Sequence, residues 1–454
     1  MNHFGLKISK ISALFGDIIL LYLSLLITLV LRYRGHFDQT IWQSHWPIFS
    51  GLFCVWLLIF YSFNLYDPDK NKNFLNLFNN FLPAAIVNLS LGIIYFYILA
   101  PKTNITPKTV LVILLAVFTL FFFFSRKLLN KIHNSDKLYQ NLLFIGYQPL
   151  ISQLLPESGN KRFGFVFKGI VTEQPLTPTY FPLPCYPLER MEEILKQEKI
   201  NLVVINETDN QNITNILFKA LPLRINFISL TAFYEQVNQR VPLEIISRGW
   251  FLDNFSEGSK NFYEPSKKLL DLALCLITGI VSLILIPFIA LAIKLSSNGP
   301  ILFKQIRVGK DGQTFLALKF RTMYENAEKS GPMWARENDP RITKVGRFLR
   351  KVRLDEIPQL INILKGDMSF VGPRPERPEF INELELKIPF YKERLLVKPG
   401  LTGWAQINFP YADSAESSLK KLQYDLYYIK HRSFFLDLSV VLKTISIVFK
   451  QSGR

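Results

Sequence analysis

Residues 269–293 read LLDLALCLITGIVSLILIPFIALAI, an apolar run with a single charge, Asp271. About 20 apolar residues suffice to cross a bilayer as a helix, so this run decides where everything after it lies. A straight span would carry the remaining chain to the other side of the membrane. Pro287 offers a second geometry, because proline removes a helical hydrogen bond and crowds the preceding turn. Lys267 and Lys268 precede the run and Lys294 follows it. Cations at both ends suit two ends held at one anionic surface. The favoured reading is a re-entrant helix, 267–294, that enters one leaflet, breaks near Ile286-Pro287 and returns; on the run alone, a spanning helix stands beside it.

Upstream lie four more apolar runs, at 11–31, 46–66, 82–100 and 109–125. Each is about the length of a transmembrane helix, and residues 1–130 read as a bundle of four. An even number returns the chain to its starting side. Lys7 and Lys10 before the first run, with Arg126, Lys127 and Lys131 after the fourth, place both ends in the cytoplasm; Arg32 and Arg34 weaken the bias from the opposite loop. Between 140 and 260 the composition turns soluble. Leu142-Leu143-Phe144-Ile145-Gly146 and Leu202-Val203-Val204-Ile205 read as buried strands, 225–228 as a third, and 188–197 as a helix. Strands alternating with helices predict a small α/β unit with a parallel sheet. Gly146-Tyr147-Gln148-Pro149 lacks the glycine-rich turn that lets backbone approach a pyrophosphate. A structural or regulatory module is therefore expected there, not a nucleotide site.

The bulk numbers agree with a membrane protein that meets anions. Of 454 residues 49% are hydrophobic, and the net charge is +17. Lipid headgroups, nucleotides and nucleic acid are the anions to consider. No nucleic-acid-reading motif is present. Cys54, Cys185 and Cys275 are far apart, and His3, His36, His45, His133 and His431 show no metal-ligand spacing.

After the apolar run, 303–308 and 314–320 predict a hairpin around Gly309-Lys310-Asp311-Gly312. Arg341, Lys344, Arg347, Arg350 and Arg353 then recur at every third position, with apolar residues between them, as on a helix with one cationic face. Such a stripe also suits a plain solvated face. Asp355-Glu356 follows at once. Neighbours on a helix point about 100° apart, so the two carboxylates would divide their work: one attacks phosphorus, the other holds Mg²⁺ or handles a proton. A surface acidic pair neutralised by Arg350 and Arg353 is the bland alternative. Arg374 stands between Pro373 and Pro375, a stiff base for a diphosphate-binding fork. Lys319 and Arg321 in KFRTM (319–323) add cations, and KPGLTGWAQ (398–406) adds glycine-rich backbone where an anion would fit. Residues 438–449 alternate apolar stripes with Lys443 and Lys450, as an interfacial or a core-facing helix does.

In order, KKLLD (267–271), the proline-containing run, KFRTM, RLDEIPQLINILKGDMSFVGPRP (353–375) and KPGLTGWAQIN (398–408) resemble the monotopic phosphoglycosyl transferases, the bacterial sugar transferases. The resemblance covers 266–454. The four upstream spans and a degenerate Rossmann-like middle module resemble the large form, the polyprenyl-phosphate hexose-1-phosphate transferases of polysaccharide synthesis. The resemblance implies an α+β catalytic domain anchored by a re-entrant helix at the cytoplasmic face of the bacterial inner membrane. It also implies transfer of sugar-1-phosphate from a UDP-sugar to polyprenyl phosphate, with release of UMP. By motif, Asp355 is then the nucleophile, Glu356 the Mg²⁺ ligand and catalytic assistant, and Arg374 a donor-phosphate contact, with Arg353, Lys319 and Arg321 as further phosphate-binding cations. The resemblance further implies membrane lipid as a partner and, through the large form, suggests a homodimer. One departure stands out: members often carry Ser-Pro at the helix break, and here it is Ile286-Pro287. A serine hydroxyl could satisfy a freed carbonyl, which isoleucine cannot. Two rival readings stand beside it, a non-catalytic scaffold of a polysaccharide assembly complex and a glycosyltransferase that releases UDP.

Overall fold

The computed structural model describes residues 4–33, 36–67, 71, 73–99, 107–133, 139–155, 161–162, 164–172, 183–206, 211–255, 263–325, 327, 339–409 and 414–449. His3 and Lys260, the expected end of the middle segment, lie outside the described residues, and of the side chains of Lys7, Lys131 and His133 nothing is described. The chain divides into two compact units, Met1–Asn238 and Gln239–Arg454.

The first unit opens with four long helices, α1 (Phe4–Tyr33), α2 (Gln39–Ser62), α3 (Phe74–Leu99) and α4 (Pro107–His133). Leu21, Leu25 and Leu29 recur at four-residue spacing, which puts them on one face of α1. They share a core with Phe49, Trp56 and Phe60 of α2, Phe81 of α3, and Phe118 and Phe122 of α4. The outward faces are apolar as well: Ile19, Ile86, Leu120 and Phe124 are exposed. Helices hydrophobic all round belong in lipid. The one charge inside the first apolar run, Asp17 on α1, meets the cation that directly follows the fourth, with Arg126 Nη2 on α4 2.7 Å from Asp17 Oδ2.

The rest of this unit is a sheet with short helices: β1 (Gln140–Ile145), β2 (Lys161–Arg162), β3 (Phe165–Thr172), β4 (Cys185–Pro187), α5 (Met191–Gln197), β5 (Leu202–Ile205), α6 (Gln211–Lys219), β6 (Asn226–Ser229) and α7 (Leu230–Asn238). The strand order is β2-β3-β1-β5-β6, with β4 on β3, and only the β2–β3 pair is antiparallel. Leu142 lies opposite Leu202 and Ile145 opposite Ile205. The three strands read from the sequence are β1, β5 and β6. After β1 the chain turns at Gly146 (φ 79°) into the 3₁₀ turn Pro149–Gln153. A pyrophosphate-binding turn would instead open a longer helix whose N-terminus faces the anion.

The second unit begins well before residue 266. Val241, Leu243 and, in α8 (Arg248–Asn254), Trp250 pack into its core beside Trp404 and Leu422. Val241 N–H donates to the Gln423 carbonyl at 3.0 Å. Then comes α9 (Tyr263–Ser296), followed by the antiparallel hairpin β7 (Leu302–Val308) and β8 (Thr314–Phe320), α10 (Lys344–Lys351), α11 (Leu360–Lys365), β9 (Ser369–Val371), α12 (Pro378–Lys387), β10 (Gly400–Thr402), α13 (Trp404–Asn408), α14 (Ala415–His431) and α15 (Phe434–Phe449). The apolar core runs through α11, β9, α12 and α14. In α15 the inward side holds Val440 and Ser446, so this helix is core-facing along one stripe.

Helix α9 differs from expectation. It continues without interruption from Tyr263 through Pro287 to Ser296. A proline costs a helix one hydrogen bond and about 3 kcal/mol in isolation; here the helix is held at both ends, which offsets that cost. Near its start, Lys267 Nζ donates to the Val371 carbonyl at 2.9 Å, and Asp271 Oδ1 accepts from Phe370 N–H at 2.9 Å and Ser369 Oγ at 3.0 Å. Lys267 also pairs with Asp437 at 3.0 Å, and the Tyr428 and Tyr263 hydroxyls donate to the same carboxylate. Near its end, Ile289 and Ile293 pack with Phe320 and Leu349. The stretch between is apolar and exposed, including Leu276, Ile280, Leu283, Ile284 and Phe288.

Candidate active site

Three short pieces of chain build the site. The first is the pair itself. Thr343 caps α10 by accepting the Gly346 N–H at 2.9 Å, worth about 1 kcal/mol. The helix then stops, because Arg353 takes a left-handed backbone (φ 56°) and Leu354–Gln359 forms a 3₁₀ helix. Asp355 and Glu356 therefore sit on a tight turn rather than on the regular helix expected, and both are buried. The second piece is β8, which brings Lys319. Asn362 of α11 locks this strand to the turn: its Oδ1 accepts from Leu318 N–H at 3.1 Å and its Nδ2 donates to the Leu316 carbonyl at 2.8 Å. The third is the loop after β9, which brings Arg374. That loop is fixed by parallel pairing with β10: Gly372 N–H donates to the Thr402 carbonyl at 2.9 Å and Gly400 N–H to the Pro373 carbonyl at 2.8 Å. A Cβ on Gly372 would collide with the Lys398 carbonyl. In the glycine-rich 398–406 segment, Pro399, Gly400 and Thr402 are used in this backbone pairing.

The cations converge on one carboxylate. Glu356 Oε1 accepts from Arg374 Nη2 at 2.6 Å and from Lys319 Nζ at 3.0 Å, and Arg353 Nη1 lies 3.8 Å from Oε2. Burial alone would discourage ionisation of Glu356. The Arg374, Lys319 and Arg353 charges outweigh it, so the carboxyl is held well below its usual range. Lys319 is pushed down by burial, with Glu356 pulling the other way. Asp355, next in the chain, is pushed up to about 6, first by burial and then by the Glu356 charge, against Lys319, Arg350 and Arg374. Two adjacent carboxylates have opposite environments: one is a fixed anion, the other a more basic group. Such a separation marks sites that do chemistry.

Not every expected residue joins them. Arg321 donates to the Ser297 carbonyl at 2.6 Å and hydroxyl at 3.0 Å, at the end of α9. Along the cationic stripe, Arg341 binds Asp339 at 2.6 Å and Arg350 Nε donates to Thr322 Oγ1 at 2.8 Å, while Lys344, Arg347 and Phe348 are exposed. Asn362 and Asp437 escaped sequence reading, and Asp271 was visible there only as the one charge in the apolar run. The available signal was a polar residue isolated inside an apolar segment, as in LINIL and LLDLAL.

Among the described residues no three His, Cys, Asp or Glu side chains cluster as a metal site. The pair fits Mg²⁺ only in the sparse manner that ion accepts, with one or two carboxylates plus substrate phosphates. Glu356 would be the residue to hold such an ion: its Oε1 faces two cations at hydrogen-bond distance, while Oε2 has Arg353 Nη1 at 3.8 Å.

Apolar helices in both units, and a divided carboxylate pair ringed by cations beside the fifth of them, define a membrane protein with a phosphate-suited centre. The model of the family described as bacterial sugar transferase matches residues 262–451. The chain is 46% identical over 164 residues to the UDP-N-acetylgalactosamine-undecaprenyl-phosphate N-acetylgalactosaminephosphotransferase of Aeromonas hydrophila, covering 36% of this chain and 39% of that one. It is 46% identical over 159 residues to the UDP-glucose:undecaprenyl-phosphate glucose-1-phosphate transferase of Escherichia coli K12, covering 35% and 34%. Against the uncharacterized sugar transferase EpsL of Bacillus subtilis it is 39% identical over 191 residues, covering 41% of this chain and 89% of that protein. This chain belongs to the bacterial sugar transferase family. Its match spans less than two-fifths of the length of the first two relatives.

Proposed function

We propose that this chain transfers sugar-1-phosphate from a UDP-sugar to undecaprenyl phosphate at the cytoplasmic face of the bacterial inner membrane. The observation that carries the reading is the contrast at 355–356, a basic buried carboxylate beside one locked by Lys319, Arg353 and Arg374. The Asp355 carboxylate oxygen attacks the phosphorus that bears the sugar. The bond from that phosphorus to the bridging oxygen breaks and UMP leaves, giving an aspartyl-phosphosugar. A phosphate oxygen of the acceptor then attacks the same phosphorus. The bond to Asp355 breaks, restoring the carboxylate and yielding undecaprenyl-diphosphate sugar. Arg374, Lys319 and Arg353 face the donor diphosphate, and charge neutralisation is what phosphoryl transfer chiefly needs. Mg²⁺ held by Glu356 would supply more of it. Arg321 belongs to this set only if its contact with Ser297 opens.

The sugar is proposed as a hexose or N-acetylhexosamine, the kinds named in the relatives. Residues 1–130 are proposed as a four-helix membrane bundle and 140–238 as a degenerate Rossmann-like module, cut back from the expected end at 260 because Val241, Leu243 and Trp250 belong to the core of the second unit. The proposed re-entrant course of α9, now as a bend at Pro287 within a continuous helix rather than a break, is supported by its anchors. Val371 and Asp437 at one end, and Phe320 and Leu349 at the other, belong to one compact body. A straight span across a core of about 30 Å would part them. The exposed Phe348 among Lys344 and Arg347 suits the same lipid surface.

The test is the nucleotide product when the purified chain meets UDP-sugars and undecaprenyl phosphate. UMP is expected. UDP would make the chain a conventional glycosyltransferase, and no nucleotide release from any donor would favour a scaffold.

A further inference from the structure

The loop that carries Arg374 is backed by two arginines that no motif picked out. Arg394, in the 3₁₀ turn Tyr391–Leu396, is 5% exposed. Its Nη2 donates to the Arg374 carbonyl at 3.0 Å and lies 2.8 Å from Asp425 Oδ2 of α14; its Nη1 donates to the Tyr391 hydroxyl at 2.8 Å. The next peptide is held in the same way, by Arg307 Nη1 donating to the Pro375 carbonyl at 3.0 Å.

These contacts address a freedom that the prolines leave open. Pro373 and Pro375 fix their own φ, and Pro375 biases Arg374 toward extended backbone. The rotation that turns the Arg374 carbonyl is not locked by either ring. A donor on that carbonyl fixes it, and with it the origin of the Arg374 side chain. A buried guanidinium is costly unless its charge and its N–H groups are met. Asp425, itself 2% exposed, meets the charge. An apolar side chain would fill the same space with less desolvation, but would give the carbonyl no partner. Lysine would face Asp425 without the planar fork that reaches three groups at set angles.

We infer that Arg394, held between Tyr391 and Asp425, is a positioning residue that fixes the Arg374 carbonyl and so aims the Arg374 guanidinium at Glu356 and the donor phosphate. The inference rests on the donor contact proposed for Arg374. Its test therefore has one arm that needs no substrate.

In that arm, hydrogen–deuterium exchange is followed in the full chain carrying Arg394→Lys, the variant that keeps a charge opposite Asp425. Faster exchange is expected in peptides covering 369–377, with the remainder of the second unit unchanged. Exchange rising evenly across that unit, or unchanged in 369–377, would overturn the inference. Arg394→Gln is run beside it, and Tyr391→Phe takes its place should the glutamine variant fail to fold. The second arm is kinetic. Arg394→Lys is expected to lower kcat/KM for the donor about 10- to 100-fold, with the acceptor KM unmoved. Added to Arg374→Ala, it should cause no further loss. Losses that multiply in the double variant, or a fall shared equally by the acceptor KM, would make Arg394 a stabiliser of the fold only. A wild-type chain that releases no nucleotide would sink the proposed function, while the exchange arm would still decide this inference.

Discussion

Arg374 Nη2 and Lys319 Nζ meet on the same oxygen, Glu356 Oε1, at 2.6 and 3.0 Å. The carboxylate joins β8 to the loop after β9 and holds two cations in place for a phosphate. Glu356→Gln leaves both cations facing a neutral amide. Breaking a buried pair from one side costs about 3–5 kcal/mol. The variant is expected to lose turnover and to unfold at a lower temperature, read by thermal denaturation in detergent. An unchanged Tm would mean that the two cations are solvated rather than dependent on Glu356.

Asp355 should behave in the opposite way. Its folded pKa, about 6, lies above the ordinary value of 3.8. The folded state therefore binds the proton more tightly, and this group's contribution to stability falls as pH rises from about 4 to about 6. Above that window the buried charge is a constant penalty. Asp355→Asn removes it. The variant should be inactive, yet more stable than wild type at about pH 7.5 by on the order of 1–3 kcal/mol, with the gap closing toward about pH 4. A less stable Asn variant at neutral pH would show that Lys319, Arg350 and Arg374 already compensate the Asp355 charge.

The course of α9 can be read from its ends. Lys268 and Leu295 are both exposed, one near each end of the helix. With Cys54, Cys185 and Cys275 replaced, single cysteines at 268 and 295 should react with a membrane-impermeant thiol reagent from the cytoplasmic side only. Reaction from opposite sides would establish a span and reject the re-entrant course.

Much of this was legible in the sequence, and the limits have physical causes. Long apolar runs and short β-branched runs carry their own periodicity, so α1 to α4, β1, β5 and the β7–β8 hairpin were readable. The pair Asp355-Glu356 and the cations Lys319, Arg353 and Arg374 were legible because unlike charges crowd an otherwise apolar chain. What escaped depends on distant partners. Pro287 stays within a helix whose ends are fastened by Val371, Asp437 and Phe320, which no local window contains. Arg321 looked like one more phosphate cation, yet Ser297 claims it. Arg353 was read as the last residue of a stripe, and its left-handed backbone is what tightens the turn that sets Asp355 beside Glu356. The start of the second unit at Gln239 was hidden for the same reason, because Val241 and Trp250 belong to it through Gln423 and Trp404 rather than through their neighbours in sequence.

The division of labour between Asp355 and Glu356 is tested most directly by trapping the intermediate. Wild-type chain is incubated with a UDP-sugar and no polyprenyl phosphate, and its mass and peptides are then measured. The expected result is a gain of one sugar-phosphate on the peptide containing Asp355, one equivalent of UMP released, and loss of the adduct when polyprenyl phosphate is added. UMP that forms only when the acceptor is present, with no adduct at any time, would contradict a covalent role for Asp355.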